Sequence, residues 1–355
     1  MAEIDDNTEK HSRGLPASIL PMDGTADIPE DDIWREMPEV LIALLRDHTT
    51  GRNIFWATND YASRGAGYGF HDEITPEGIT GANGHVIVPR VLKDAAVQNS
   101  RKRDHAEIFT PLWIVNAQVN LIDEAWFGRE QPFNIGHEDH TWTPVEGPVA
   151  FSEERGKTWR DYVRDTRLEI TCGEGPYLTS RYDPTTGEYL PVGRRVGMVD
   201  RKLRVVSEHT ATTGEWLEAA QEALKSAYGY EWQGDSLLLA RENLLYTWLE
   251  HFQAKFGAGA MPTERSCKSA AYIISWNVFQ MDGLKGVVPE SCGEQPGQQM
   301  ELFGETRLIP CEGCRTGDMR RHNGTYCLLR DWNAKPLKAG EGPGRKIRFI
   351  DLIKR

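Results

Sequence analysis

The sequence predicts an α/β fold built around a mainly parallel sheet. Three short apolar segments each lead to an acidic residue, at Glu169, Glu231 and Asp282. Segments with helical apolar spacing lie between them, and this alternation of strands and helices is typical of a parallel sheet. A turn with two glycines follows the first acid. We therefore expect the three acids to line one crevice, at the carboxyl ends of consecutive strands.

The first strand runs into a glycine turn within the stretch Arg167-Leu-Glu-Ile-Thr-Cys-Gly-Glu-Gly-Pro-Tyr-Leu178. Gly173 and Gly175 bracket the turn, where glycine lets the backbone pass close to a ligand and adopt dihedral angles closed to other residues. In an α/β fold, such a turn holds a nucleotide-like ligand. Steric demands alone also place two glycines in many strand-to-helix turns, so the turn does not establish a site by itself.

The second and third strands supply further carboxylates. Ser226–Trp232 is a short apolar strand that contains Glu231, and a helix follows it from Asp235. Ala270–Leu284 is a helix or a strand that ends at Asp282. A carboxylate accepts two hydrogen bonds at once, which suits the two hydroxyls of a ribose at the second position, and an acid at the third suits an adenine amino group. Taken singly, each acid is better explained as a helix N-cap or a surface charge.

The chain has 355 residues and a net charge of −12. Its length suits one large or two ordinary domains. The charge argues against a free-standing duplex-DNA binder, which usually shows a basic excess, but it allows a local basic groove or a partner that supplies one. The N-terminus is acidic and no apolar run of about 18 residues occurs, so we expect a cytoplasmic protein without a membrane span.

We divide the chain into three parts. Residues 1–98 form an N-terminal extension that we expect to be partly disordered, because it begins with a polar, acidic stretch. Residues 99–290 form the core that contains all three acids. Residues 291–355 form a Cys/His-rich segment that ends in the β-like stretch Lys346–Ile353.

The Cys/His-rich segment predicts a metal site. Six cysteines in a cytosolic chain are more often thiols or metal ligands than disulfides. Cys311-Glu-Gly-Cys314 is followed closely by His322 and Cys327, and these residue types with short loops are typical of a closed, tetrahedral structural zinc site. We predict that these four residues bind one zinc, with Cys292 as a possible substitute ligand. The alternative is a set of unpaired thiols near a surface turn.

Two features precede the predicted helix Leu112–Phe127. Arg101, Lys102 and Arg103 form a basic triplet in an acidic chain, which is a candidate contact for nucleic acid, while the alternative is a solvated loop. Phe109-Thr110-Pro111 leads directly into the helix, where Thr110 is a plausible N-cap and Pro111 suits the first helical position.

These motifs resemble those of the adenine-N6 DNA methyltransferases of restriction-modification systems, including proteins labelled restriction endonuclease subunit M. The family's Phe-Thr-Pro element resembles Phe109-Thr110-Pro111, and its first motif, acid-Pro-Ala-Cys-Gly-x-Gly, resembles Glu169-Ile-Thr-Cys-Gly-Glu-Gly175 with Ile170-Thr171 in place of Pro-Ala. The second motif, a ribose-binding acid before Ala-Arg-x-Asn-Leu, resembles Glu231 and Ala240–Leu244. The third, Asn-x-x-x-x-Asp-x-Leu, resembles Asn277–Leu284.

The resemblance covers roughly residues 100–285 and implies a Rossmann-like, S-adenosylmethionine-dependent methyltransferase sheet, flanked by the N-terminal extension and the small zinc-binding segment. It implies that the glycine turn admits the methionine end of the cofactor, that Glu231 holds the ribose and that Asp282 takes the adenine amino group. The residues to which it carries a cofactor-binding role are Phe109, Thr110, Pro111, Glu169, Thr171, Cys172, Gly173, Gly175, Glu231, Trp232, Asp282 and Gly283.

The family's catalytic motif, Asn/Asp-Pro-Pro-Tyr/Phe, does not occur in this sequence. In the family that motif holds the flipped adenine, and a Phe-Asp-x-Ile-type strand resembling Phe349–Ile353 leads into it. The resemblance therefore implies the modification subunit of a DNA methyltransferase that needs a second polypeptide for the catalytic loop. We expect that polypeptide to join at an unpaired apolar strand, Ile347–Ile353. The alternatives are an inactive cofactor-binding scaffold or sensor, and a methyltransferase with a non-DNA substrate.

Overall fold

A computed structural model of the chain describes residues 15–20, 24–105, 110–151, 156–300, 306–337 and 342–353. The elements described up to residue 127 are helices, and strands occur between helices from residue 134 onwards. Across them, no helix combines the length and the apolar character that a membrane span requires.

The α-helices are, in chain order, α1 (Glu30–Glu36), α2 (Pro38–Leu45), α3 (Pro76–Ile79), α4 (Ala95–His105), α5 (Leu112–Phe127), α6 (Trp159–Arg164), α7 (Met198–His209), α8 (Thr213–Lys225), α9 (Gly234–Phe256), α10 (Glu264–Asn277) and α11 (Glu312–Thr316). The strands are β1 (Asn134–Gly136), β2 (Trp142–Pro144), β3 (Arg167–Glu169), β4 (Ala227–Glu231), β5 (Val278–Gln280), β6 (Gln295–Met300), β7 (Thr306–Ile309), β8 (Leu328–Asp331) and β9 (Arg345–Arg348).

A parallel sheet of three strands, in the order β3-β4-β5, forms the centre of the fold. Glu169 pairs with Gly229, and Glu231 pairs with Gln280. Helices α7 and α8 connect the first two strands, and α9 and α10 connect the second to the third. The predicted alternation of helices and parallel strands is therefore confirmed in this sheet, and the three strands end at one edge, the carboxyl edge.

Helix α9 lies at the centre of the main core. Its residues from Gly234 to Phe252 are all buried, because α2, α7, α8 and α10 pack around it. Neighbouring helices have defined starts. At α8, Thr212 and Glu215 form a capping box, in which each side chain accepts a hydrogen bond from the other's backbone N–H. At α10, the Thr263 side chain accepts from Ser266 N.

The N-terminal part of the chain shares this core. Ile33, Leu41 and Trp56 are fully buried in the same apolar cluster as the residues of α9 and α10, and α2 packs directly against α10. The boundary that we placed at residue 98 therefore does not separate two cores among the described residues.

The opposite face of the sheet is covered by the C-terminal segment. Side chains alternate along a strand, so Tyr228 and Tyr230 point away from the face of Ala227. A second apolar cluster includes Tyr230, Phe279, Cys327, Leu329 and Phe349. The Tyr228 hydroxyl donates to the carbonyl of Arg330 across 2.8 Å, which attaches β8 to the sheet.

The terminal stretch is not the unpaired edge that we predicted. β9 pairs antiparallel with β8, with Ile347 opposite Leu329, and Phe349–Leu352 forms a 3-10 turn. The Phe349 ring lies 5.6 Å from the Tyr230 ring. Phe349 and Ile347 thus belong to the apolar cluster on this face of the sheet, whereas Leu352 and Ile353 are exposed. Lys354 and Arg355 lie outside the described residues.

Candidate functional site

The turn after β3 depends on left-handed backbone conformations. Thr171, Gly173 and Gly175 have φ angles of +44°, +53° and +78°, a region that glycine adopts freely and threonine rarely. Gly175 N donates to Cys172 O across 2.7 Å and closes the turn. A Cβ added to Gly175 would stand 3.4 Å from Ala240 Cβ. Glycine there therefore serves both the turn and its close approach to α9.

Glu169 shapes the turn from inside. Its Oε1 accepts from Tyr177 N at 3.2 Å and its Oε2 from Leu178 N at 2.8 Å. Burial raises the pKa of the Glu169 carboxyl to about 8, although these two N–H groups oppose the shift. Because both of its oxygens accept hydrogen bonds from backbone N–H groups, Glu169 stabilises the conformation of the turn.

Glu231 ends β4 and contacts the same turn. Its Oε2 accepts from Gly173 N at 2.9 Å, and its Oε1 accepts from Gln233 N at 3.2 Å. Burial raises the pKa of Glu231, and the two N–H groups partly oppose that effect. Each carboxylate oxygen can accept a further hydrogen bond, so Glu231 can receive two neighbouring hydroxyls. The indole ring of the following residue, Trp232, is held in place because its Nε1 donates to Ala57 O at 3.1 Å.

Asp282 lies in the turn that follows β5. Its Oδ1 accepts from Leu284 N at 3.0 Å, and its Oδ2 lies 3.0 Å from Lys285 Nζ. Gly283 packs against Tyr230, where an added Cβ would stand 2.6 Å from the ring. The carboxylate is thereby fixed next to the end of β4.

Backbone hydrogen bonds extend the ladder beyond the strands and align these elements. Cys172 N donates to Tyr230 O at 2.9 Å, and Met281 N donates to Glu231 O at 2.9 Å. Cys172 is 2% exposed and is therefore a small buried group of the turn, as predicted; burial raises the pKa of its thiol well above the usual value. The predicted residues that the structure brings together at the carboxyl edge are Glu169, Thr171, Cys172, Gly173, Gly175, Glu231, Trp232, Asp282 and Gly283.

The segment before α5 also reaches the turn. The Thr110 side chain lies near the Tyr177 hydroxyl, where it partly opposes the rise that burial gives to the pKa of that phenol. Helix α5 has Pro111 as its N-cap, so the predicted cap at Thr110 is one residue early. The carbonyl of Pro111 accepts from Ile114 N and thereby begins the helix. Phe109 lies outside the described residues.

Arg101 is buried, contrary to its predicted place on a nucleic-acid surface. It is 1% exposed, and its Nη1 lies 2.9 Å from Asp235 Oδ2 and 3.1 Å from Asp60 Oδ2. Burial alone would raise the pKa of Asp235, but Arg101 and Lys93 hold it well below its usual value. Arg101 thus neutralises an acid at the start of α9, whereas Lys102 and Arg103 are exposed on α4.

Two further residues hold the carboxyl edge in shape. Asn243 Nδ2 donates to Glu174 O at 3.1 Å and so supports the glycine turn from α9. Gln280 accepts from Phe55 N at 3.1 Å and donates to Phe55 O at 2.8 Å. The Ala-Arg-x-Asn-Leu motif contains Asn243, but no local signal could identify Gln280, because its partner lies 225 residues away in the chain.

The C-terminal segment contains a cluster of metal-ligating side chains. Cys292, Cys311, Cys314 and His322 place their ligand atoms within 4.8 Å of one another. The three sulfurs lie 3.5, 3.6 and 3.6 Å from His322 Nδ1. Around a tetrahedral zinc with bonds of about 2.3 Å to sulfur and about 2.0 Å to nitrogen, a sulfur and the nitrogen would stand about 3.5 Å apart. The four side chains therefore have the spacing of a tetrahedral site.

Cys327 does not belong to this cluster, so our predicted ligand set is corrected at one position. Cys327 is fully buried, and its Sγ lies 3.3 Å from Gln280 O beneath the sheet. Cys292 takes the fourth place because β6 and β7 pair antiparallel. That pairing returns the chain from Cys292 to Cys311 after one hairpin.

The surroundings of the cluster fit a cation. A Cβ added to Gly313 would stand 2.7 Å from His322 Nδ1, and one added to Gly324 would stand 3.0 Å from Cys292 Sγ. Burial raises the pKa of the Cys292 thiol to about 12. Burial also raises the pKa of the Cys311 thiol. Hydrogen bonds to its sulfur, the largest from Asn323 N, outweigh that effect and bring the pKa to about 6. Negative charge on one sulfur thus disfavours negative charge on the next, and a bound cation would offset that repulsion.

Comparisons with protein-family models, with curated proteins and with solved structures found no match for the chain.

Proposed function

We propose that the chain binds S-adenosylmethionine at the carboxyl edge of its parallel sheet, as the modification subunit of a DNA adenine-N6 methyltransferase of the restriction-modification type. The observation that supports this most is the contact between the glycine turn and Glu231, with the Asp282 turn beside them. A crevice at the carboxyl ends of parallel strands is where α/β folds bind nucleotides. In the proposal the core has a Rossmann-like methyltransferase fold.

Each element has a role in this proposal. The methionine end of the cofactor lies against Gly173 and Gly175, close to Thr110. Glu231 accepts hydrogen bonds from the ribose hydroxyls, for which each of its oxygens keeps a lone pair. Asp282 takes the adenine amino group. The cofactor supplies the methyl group, and the chain contributes orientation, on which transfer to a positioned amine mainly depends.

The target adenine needs a second polypeptide in this proposal. An amide and an aromatic ring must hold the flipped base, and the sequence lacks the Asn-Pro-Pro-Tyr motif that supplies them in the family it resembles. We assign that motif to a partner chain.

The Cys/His cluster binds a structural zinc in this proposal. Three thiolates and one imidazole are ligands that zinc prefers, and four protein ligands leave no open position for catalysis. The spacing of about 3.6 Å between sulfur and nitrogen supports this choice. The metal would join the hairpin β6–β7 to the loop before β8.

Calorimetry on the purified chain, titrated with S-adenosylmethionine and with ATP as a control, tests cofactor binding. We expect the cofactor to bind and ATP not to bind. Methylation of mixed-sequence DNA is then measured with the chain alone and with the product of the neighbouring gene. We expect N6-methyladenine in the second case. Absence of cofactor binding would overturn the proposal, while binding without methylation in either case would favour the sensor.

A further inference from the structure

Positive charge is concentrated in residues 306–355, a part of the Cys/His-rich segment. Residues 306–355 contain twelve Lys and Arg but five Asp and Glu, although the whole chain has a net charge of −12. Such asymmetry within an acidic protein marks a segment suited to a polyanion.

Three exposed cations of this segment form a common surface, which we call the basic face: Arg320, Lys346 and Arg348. Lys346 and Arg348 occupy alternate, exposed positions of β9 and so point to the same side. Arg348 Nη2 lies 2.8 Å from Asp351 Oδ1, and Arg320 Nη2 donates to the carbonyl of Ile353, two residues further along the chain. Arg348 and Arg320 therefore lie on the same side of the terminal turn, near Asp351.

The charge of the basic face is mostly uncompensated. Among the described residues, Arg320 and Lys346 have no carboxylate within ion-pair distance. Arg348 pairs with Asp351 at 2.8 Å, but both side chains are about half exposed, and exposed pairs contribute little energy. Arg348 also lies 5.4 Å from the Tyr326 ring, which orients its guanidinium.

The basic face borders the carboxyl edge. Arg348 directly precedes Phe349, whose ring lies 5.6 Å from Tyr230 and 6.0 Å from Phe279. Tyr230 in turn precedes Glu231. Val287 pairs with both Asp282 and Tyr326, and Arg348 lies over the Tyr326 ring. A polyanion on the basic face would therefore lie close to the Asp282 turn of the carboxyl edge.

The metal cluster holds this surface in position. Arg320 lies in the loop between Cys314 and His322, and its Nη2 donates to Ile353 O at 2.6 Å. Tyr326, which packs beneath Arg348, accepts from His322 N at 3.0 Å. Both arginines are thus connected to the loop that carries the metal-ligating residues. These connections fix the surface of a small segment that has little apolar core of its own.

We propose that the basic face binds the phosphate backbone of duplex DNA and positions it against the carboxyl edge. This inference rests on the proposed function for the choice of DNA. Arg and Lys neutralise phosphates without reading sequence, and such contacts set the register of a protein on the duplex. The chain needs this surface because its net charge otherwise repels DNA.

The test compares two triple-alanine variants that remove equal charge. One carries Arg320→Ala, Lys346→Ala and Arg348→Ala. The control carries Lys157→Ala, Arg160→Ala and Arg265→Ala, which are exposed cations outside the C-terminal segment. Binding of the metal-loaded proteins to a fluorescent mixed-sequence duplex is measured by anisotropy over a range of salt concentrations. Circular dichroism and metal content verify folding.

We expect the slope of log K against log salt to fall by about 0.9 for each lost contact, up to about 2.7, in the basic-face variant alone. Equal slopes in both variants, or no measurable binding by the parent at low salt, would overturn the inference. Calorimetry with S-adenosylmethionine separates the two proposals. If the cofactor binds but DNA does not, the proposed role of the basic face is wrong and the proposed function stands. If DNA binds through the basic face but the cofactor does not bind, the proposed function is wrong and the role of the basic face stands.

Discussion

Gly173 N donates a hydrogen bond to Glu231 Oε2 across 2.9 Å, which joins the turn after β3 to the end of β4. The same carboxylate accepts from Gln233 N at the start of α9. Glu231 therefore connects three elements of the carboxyl edge, and its remaining lone pairs are directed by these two backbone contacts. This double role makes Glu231 the most informative position for testing a ligand at the edge.

Replacing Glu231 by Ala should weaken S-adenosylmethionine binding by about 1–3 kcal/mol, because hydrogen bonds to a charged acceptor are lost. Glu231→Gln keeps one oxygen acceptor and should fall between Ala and the parent. Calorimetry measures all three, with Glu218→Ala on the exposed face of α8 as a control that should bind normally. Unchanged affinity in a folded Glu231→Ala protein would show that the ribose assignment is wrong.

Glu169 should make folding stability depend on pH. The folded-state pKa of about 8 lies above the ordinary 4.5, so the folded protein holds this proton more tightly than the unfolded chain. Its contribution to stability is complete below about pH 4.5 and is lost as the pH rises through 8. Glu169→Gln, which cannot ionise, should lose less stability than the parent over this window, by about 1.4 kcal/mol per unit of pKa shift.

Urea unfolding of Glu169→Gln at pH 5.5 and 8.5 measures this difference. Glu30 also titrates in the window, since burial raises its pKa to about 8, so the informative quantity is the difference between variant and parent. Glu218→Gln, on the exposed face of α8, should follow the parent. A Glu169→Gln protein with the same pH dependence as the parent would contradict the buried, protonated state.

Local patterns predicted the elements of the sheet well. Ser226–Trp232 contains β4, and the stretch 270–284 contains the end of α10 together with β5. Acidic residues at strand ends could be placed at one edge because parallel strands align their carboxyl ends. The Cys/His spacing likewise identified three of the four clustered ligands. These signals are short-range, and the physics that fixes them acts within a few residues.

Long-range contacts were beyond the reach of sequence patterns. Arg101 belongs to a basic triplet whose pattern indicates an exposed position, but it is buried because it pairs with Asp235, 134 residues later. The choice between Cys292 and Cys327 depends on the pairing of β6 with β7, which no spacing rule decides. The terminal apolar stretch resembled a free edge because its partner strand, β8, has no distinctive pattern of its own.

Arg101→Ala should destabilise the fold by about 3–5 kcal/mol, because it leaves the buried Asp235 carboxylate with less compensation. Lys102→Ala, the adjacent and exposed position, removes the same charge and should change stability by less than about 0.5 kcal/mol. Chemical denaturation at pH 7 compares the two variants. Lys93 Nζ and the Tyr61 hydroxyl also donate to Asp235 Oδ2, at 3.1 and 2.7 Å. A loss below about 1 kcal/mol in Arg101→Ala would mean that these two donors suffice to hold the carboxylate.

Metal content distinguishes the four clustered ligands from the set that we first predicted. Protein purified without chelator should contain one zinc per chain by elemental analysis. Cys292→Ser should lose most of it, because a hydroxyl replaces a thiolate at one of four tetrahedral positions. Cys327→Ser should keep the metal, since the Cys327 Sγ lies beneath the sheet, 3.3 Å from Gln280 O. Because Cys327→Ser changes a buried side chain, it also shows whether general destabilisation releases metal. Loss of zinc from Cys327→Ser with retention in Cys292→Ser would restore the original ligand set, and absence of metal from the parent would remove the site.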